Sequence, residues 1–137
     1  MELIKDKTLE NIIEKMENDI NALKENKEHF NPIDAKERFY LEILGTDDAK
    51  ALLEIDNALL FLRQHEEIVS MTNPITDKVE NAINKIYLRD TKNALENIKK
   101  NLENLKPKDD RITNLKNRTI EMIQKLINYI VKNLQVE

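Results

Sequence analysis

The chain has 137 residues, of which 35% are charged, and it contains 1 Gly, 3 Pro and no Cys. So few turn-forming residues cannot punctuate a many-stranded sheet, which excludes sandwiches, barrels and Rossmann-type folds. The lack of Cys excludes disulfides, thiolate nucleophiles and Cys-ligated zinc or iron–sulfur centres. The length suits one domain, so we expect a single soluble, all-helical domain over residues 1–137.

The charge of the chain is unevenly distributed around a net value of −4. Residues 1–68 carry 9 Lys and Arg against 17 Asp and Glu, whereas residues 69–137 carry 13 against 9. Either the two halves pack together and neutralise each other, or a basic C-terminal surface faces an acidic partner. No apolar stretch is long enough for a membrane span or a signal peptide, so we expect a cytoplasmic protein.

The N-terminal half contains the signals for three helices. The first is predicted from Leu3 or Thr8 to Phe30, and its apolar residues recur with the spacing of a coiled-coil seam. Asn31 and Pro32 predict the start of a short second helix, which ends at Gly45, the only glycine. The apolar residues that this short helix carries are Ile33, Tyr40, Ile43 and Leu44.

A third helix, about 47–72, is predicted to begin at a Thr46 cap. Its middle, residues 58–62, is apolar on all sides, which is typical of a helix buried at the centre of a domain. The fourth helical stretch, about 74–106, changes its apolar face near Asp90. It therefore either kinks there or meets different neighbours in its second half.

A last helix is predicted at about 109–136, with Asp109 and Asp110 at its start. Short connections favour antiparallel packing of consecutive helices. We therefore predict an all-α, antiparallel four-helix-bundle-like fold with four long helices and one short corner helix.

Metal sites of the ferritin-like di-iron type require a Glu-x-x-His pair on each of two helices. The only histidines are His29 and His65, and neither has Glu three residues before it. The sequence therefore predicts no such centre.

The segment Glu54-Ile55-Asp56-Asn57-Ala58-Leu59-Leu60-Phe61-Leu62 resembles the metal-binding helix of MazG-like nucleoside triphosphate pyrophosphohydrolases. The resemblance covers about nine residues, and Asn57 stands where the family has a second acidic ligand. It implies an all-helical, magnesium-dependent hydrolase as an alternative function. The ligands it implies are Glu14, Glu17, Glu54 and Asp56.

Asp56 and Arg63 fall within the apolar face of the third helix, among leucines. They are about two turns apart, too far for an ideal direct pair, so each needs a partner from another helix if buried. Arg89, Asp90 and Tyr87 are candidates. The two residues form either a structural polar network or a charged face that is open to a ligand or partner.

Recognisable catalytic arrangements are nearly absent, and amphipathic helices are abundant. We therefore expect a non-catalytic protein–protein interaction module, such as an adaptor, assembly subunit or inhibitor, without cofactor, that binds another protein or itself as a homodimer. The predicted partner-binding seam is Leu95, Ile98, Leu102 and Leu105. A second alternative is a small nucleic-acid-associated subunit that uses Arg111, Arg118, Lys125 and Lys132, although the net acidity makes nucleic acid a less favoured partner.

Overall fold

The computed structural model describes residues 7–24, 32–64 and 78–135. Five helices, and no strands, occupy these ranges, so the predicted all-α bundle-like fold is confirmed. They are α1 (Lys7–Lys24), α2 (Ala35–Leu44), α3 (Asp47–Gln64), α4 (Lys78–Glu103) and α5 (Asp110–Gln135). The predictions made for residues 25–31 and 65–77, which include both histidines, lie outside the described residues.

The start of α2 lies later than the predicted start at Asn31 and Pro32. The Asp34 side chain accepts a hydrogen bond from the Glu37 backbone N–H at 2.8 Å, and the Glu37 carboxylate accepts one from the Asp34 N–H at 3.0 Å. This reciprocal capping box satisfies two donors, which explains why the helix begins at Ala35. Gly45 ends the helix as predicted, with a left-handed φ of 58°.

The predicted Thr46 cap is confirmed, and Asp109 caps the last helix. The Thr46 hydroxyl accepts a hydrogen bond from the Ala49 N–H at 3.1 Å, and so fixes the start of α3. The Asp109 carboxylate accepts one from the Arg111 N–H at 2.8 Å at the start of α5.

The long helices do not all alternate in direction. Between α4 and α5, Lys116 donates to the Leu105 carbonyl oxygen at 3.0 Å and Lys99 donates to Gln124 at 2.6 Å, so this consecutive pair is antiparallel.

The pair α1 and α5 is parallel instead. Arg111 contacts Glu10 and Glu17, and one heptad later Arg118 contacts Asn21. The contacts thus advance along both helices in the same sense. The short α2 runs back along α3 and allows this arrangement.

Helix α3 lies at the centre of the domain, as predicted from its apolar middle, because it packs against all four other helices. Leu52, Ile55 and Leu59 have no solvent exposure. Helix α4 continues through Asp90 without interruption. None of the described helices has the length and apolar character required to cross a membrane.

Not all apolar residues of α2 and α4 face the core. On α2, Ile43 is 66% exposed and Leu41 is the buried residue instead. Ile33 is buried and Leu44 packs against the core, so of the apolar residues named for this helix it is Ile43 that points to solvent. On α4, Ile86 and Tyr87 are exposed, whereas Leu95 and Leu102 are buried.

Candidate interaction surfaces

The four carboxylates of the magnesium alternative, Glu14, Glu17, Glu54 and Asp56, do not come together. Within the described ranges, no three or more acidic or histidine side chains form a group that could hold a metal. Glu17 accepts a hydrogen bond from Arg111 at 2.7 Å, and Asp56 accepts one from Arg38. Magnesium requires several converging oxygen ligands, and these two carboxylates already contact a side-chain cation.

Asp56 is buried, with 1% of its surface exposed, and its partner is Arg38 of α2. The Arg38 guanidinium donates to the Asp56 carboxylate at 2.5 Å and to the Asn57 side-chain oxygen at 3.2 Å. Arg63 is only partly buried. Arg38 was missed because the α2–α3 register had to be known first. The short turn at Gly45 was the available signal, since it forces the two helices to lie side by side.

Burial raises the pKa of the Asp56 carboxyl above its ordinary value of 3.8, and the nearby Asp19 carboxylate adds to this rise. The charge of Arg38 and the backbone N–H of Ile33 both lower the pKa. The second carboxylate oxygen, Oδ1, is buried and has no hydrogen-bond partner among the described residues. Burial of the charged Asp56 carboxylate therefore lowers the stability of the fold unless Arg38 pairs with it.

The predicted partner-binding seam lies inside the domain. Leu95 and Leu102 have no solvent exposure, and Ile98 and Leu105 pack half-buried against the same core. The stripe faces other helices of its own chain, chiefly α5 and α3. The chain's own helices therefore already cover this stripe.

Three of the four basic residues of the nucleic-acid alternative are exposed, and Arg118 is partly buried. Arg111 and Arg118 flank α1 and donate to Glu10, Glu17 and Asn21. The hydrogen bond with Glu17 raises the pKa of the Arg111 guanidinium above its ordinary value. Lys125 and Lys132, further along α5, are exposed.

An elongated groove of about 400 Å³ lies between the end of α1 and the second half of α5. We call it the α1–α5 groove. Its floor is apolar and mostly half-buried. The charged residues that the structure describes around this floor are three cations and one carboxylate. The floor residues are Ile20, Leu23, Met122, Leu126 and Tyr129, and the charged residues are Lys24, Arg118, Lys125 and Glu121.

The lining of this groove follows one side of α5 from residue 118 to residue 129. At 1.5 Å per residue, this stretch is roughly 16 Å long. The groove was missed from the sequence because it depends on the parallel packing of α1 and α5. Its α5 residues recur every three or four positions, and this amphipathic pattern alone could equally have described core residues.

A second exposed apolar feature is the outer side of α2. Phe39 is 62% exposed and Ile43 is 66% exposed, one turn apart. Together the two side chains form a small exposed apolar patch on the described surface.

Comparisons of the chain with family models, with curated proteins and with solved structures gave no match.

Proposed function

We propose that this protein is a non-catalytic helical interaction module that binds an acidic amphipathic helix of a partner protein in the α1–α5 groove. The observation that carries the proposal is the combination of an apolar floor with a cationic rim. Amphipathic helices bind in such grooves through apolar residues one turn apart, while their polar side chains meet the rim.

The dimensions of the groove favour a helix as its occupant. A stretch of roughly 16 Å accommodates about eleven helical residues, or three turns, so that three successive apolar anchors of the partner can reach the floor. Ile20 and Leu126 are nearly buried, and form the base on which these anchors would pack.

The charges of the groove favour an acidic partner. Lys24 and Lys125 are exposed, and Arg118 lies between α1 and α5 at one end of the lining. Among the described lining residues, Glu121 is the one opposing carboxylate, so their net charge is positive although that of the whole chain is negative. Complementary charges at a groove rim accelerate association and discriminate against basic partners.

A synthetic helical peptide with Leu one turn apart and Glu on its other side is the first probe. We expect the protein to bind it with micromolar affinity in fluorescence anisotropy, and to bind the same peptide with Lys in place of Glu at least tenfold more weakly. Lys125→Glu should weaken binding of the acidic peptide by about tenfold. Lys132→Glu is the matched control, since Lys132 is exposed on the same helix but outside the groove.

Two results would contradict the proposal: equal binding of the acidic and basic peptides, or equal effects of the two lysine substitutions. If dodecanoate displaced the peptide at a concentration below that of the peptide itself, the groove would instead be assigned to a small amphipathic anion. A natural partner captured by the protein should be lost with Lys125→Glu and retained with Lys132→Glu.

A further inference from the structure

The outer face of α2 consists of five exposed residues: Ala35, Lys36, Phe39, Glu42 and Ile43. Phe39 lies at the centre of this face and Ile43 at one end, and each exposes more than half of its surface. The positively charged Lys36 lies on one side of Phe39, and the negatively charged Glu42 lies on the other.

The rest of α2 is held firmly against the domain, so this exposure follows from its fixed orientation. Glu37 accepts a hydrogen bond from Lys15 of α1 at 2.7 Å, which raises the pKa of the Lys15 ammonium. Arg38 is bound to Asp56 of α3, and Leu41 is buried. Because these contacts flank the helix on its inner side, Phe39 and Ile43 have to point outwards.

The outer face has an internal symmetry about Phe39. Lys36 lies three residues before Phe39 and Glu42 three residues after it. Ala35 lies four residues before and Ile43 four residues after. A second copy of the helix can be placed antiparallel to the first, about a two-fold axis at Phe39. Each Lys36 would then lie opposite the partner's Glu42, and each Ile43 would lie over the small side chain of the partner's Ala35. Such self-complementarity is what a two-fold interface requires.

The positions of the two charges support this arrangement independently. Lys36 lies in the first turn of α2 and Glu42 in the last turn. The helix dipole favours the opposite placement, with anions at the start and cations at the end. Within one chain, therefore, both charges are poorly placed, whereas each would meet an opposite charge in the antiparallel pair.

We propose that two copies of this protein associate through the outer face of α2, with Phe39 on the two-fold axis and two Lys36–Glu42 ion pairs across the interface. The ten-residue helix is about 15 Å long, so the pair covers less than the roughly 1,200 Å² of a standard interface. The dimer is accordingly weak, with a dissociation constant on the order of 100 µM. This surface is separate from the α1–α5 groove, and the proposal does not depend on the proposed function.

Charge reversal tests the pairing directly by sedimentation equilibrium of the full chain from about 10 µM to 1 mM. We expect reversible dimerisation of the wild-type protein. Lys36→Glu and Glu42→Lys should each weaken the dimer by at least tenfold, since each places two pairs of like charges in contact. The double variant restores opposite charges and should return to within about threefold of the wild-type constant.

Loss of association in the single variants cannot arise from unfolding of α2, because both substitutions improve the match of the helix to its dipole. Circular dichroism should therefore show unchanged or higher melting temperatures. Lys100→Glu, on the exposed side of α4, is the control for a general charge effect and should leave the dimer unchanged. A wild-type protein that is monomeric at 1 mM, or a double variant as weak as the single ones, would overturn the proposal.

Discussion

The ion pair between Arg38 and Asp56 allows a quantitative test of the energetics of the fold. Arg38→Met keeps much of the apolar stem but removes the cation that contacts a carboxylate with only 1% exposure. Breaking a buried pair by removal of one partner costs about 3–5 kcal/mol. The Arg38 side chain is 32% exposed, so water compensates part of this loss. We therefore expect the free energy of unfolding at pH 7 to fall by about 2–3 kcal/mol.

The loss should depend on pH in a defined direction. Burial already raises the pKa of Asp56, and removal of Arg38 raises it further. A raised carboxyl pKa means that the folded state holds the proton more tightly than the unfolded state. The stability that the group contributes is therefore complete below its unfolded pKa, near 3.8, and is lost as pH rises through the folded pKa. The difference between variant and wild type should be small at pH 4 and largest at neutral pH.

Urea unfolding followed by circular dichroism at 222 nm is the appropriate assay, because the chain has no Trp. The double variant Arg38→Met with Asp56→Asn is the control, since it removes the charge that has lost its partner. We expect it to be more stable than Arg38→Met alone by about 1 kcal/mol or more at pH 7. A loss below about 0.5 kcal/mol in Arg38→Met, or an equal loss at pH 4 and pH 7, would refute the reasoning.

Three further predictions concern stability. Leu102→Ala should cost about 3 kcal/mol in urea unfolding because Leu102 is fully buried, and half-buried Leu105 should cost clearly less when truncated; equal costs would contradict the burial assigned to the two residues. Gly45→Ala should lower the free energy of unfolding by about 1 kcal/mol because of the left-handed φ alone, since an added Cβ would meet no atom closer than 3.9 Å. Gly45→Asn should lower it less, and a larger loss for Asn than for Ala would argue against the left-handed cap. Arg111→Ala should lower the free energy of unfolding by less than about 1 kcal/mol because the side chain is 43% exposed, and this loss should decrease in 1 M salt. A larger loss, or one that does not depend on salt, would show that the ion pairs of Arg111 with α1 stabilise the fold more than surface pairs do.

Local signals predicted the helices well because they depend on nearby residues. Gly45 is the only glycine and lies where a left-handed residue ends α2. Thr46 and Asp109 bond to backbone N–H groups two or three residues away. The apolar middle of α3 required neighbours on every side, and this required a central position.

The surfaces could not be predicted in the same way because they depend on packing between distant segments. Periodicity identified the stripe that includes Leu95 and Leu102 as apolar, but a stripe that packs against its own chain has the same pattern as one that binds another chain. The Arg38 partner of Asp56 required the register of two helices. The α1–α5 groove required the knowledge that these helices are parallel.

The parallel packing of α1 on α5 also has a consequence for the order of folding. The bond from Lys116 to the Leu105 carbonyl oxygen closes a loop of 11 residues, whereas the bond from Arg111 to Glu17 spans 94. On loop length alone, the second closure costs about 2 kcal/mol more in chain entropy. We therefore expect the α4–α5 hairpin to form early from local contacts and α1 to dock onto it later. Since one wall of the α1–α5 groove is the end of α1, the proposed binding surface would be completed only when α1 has docked.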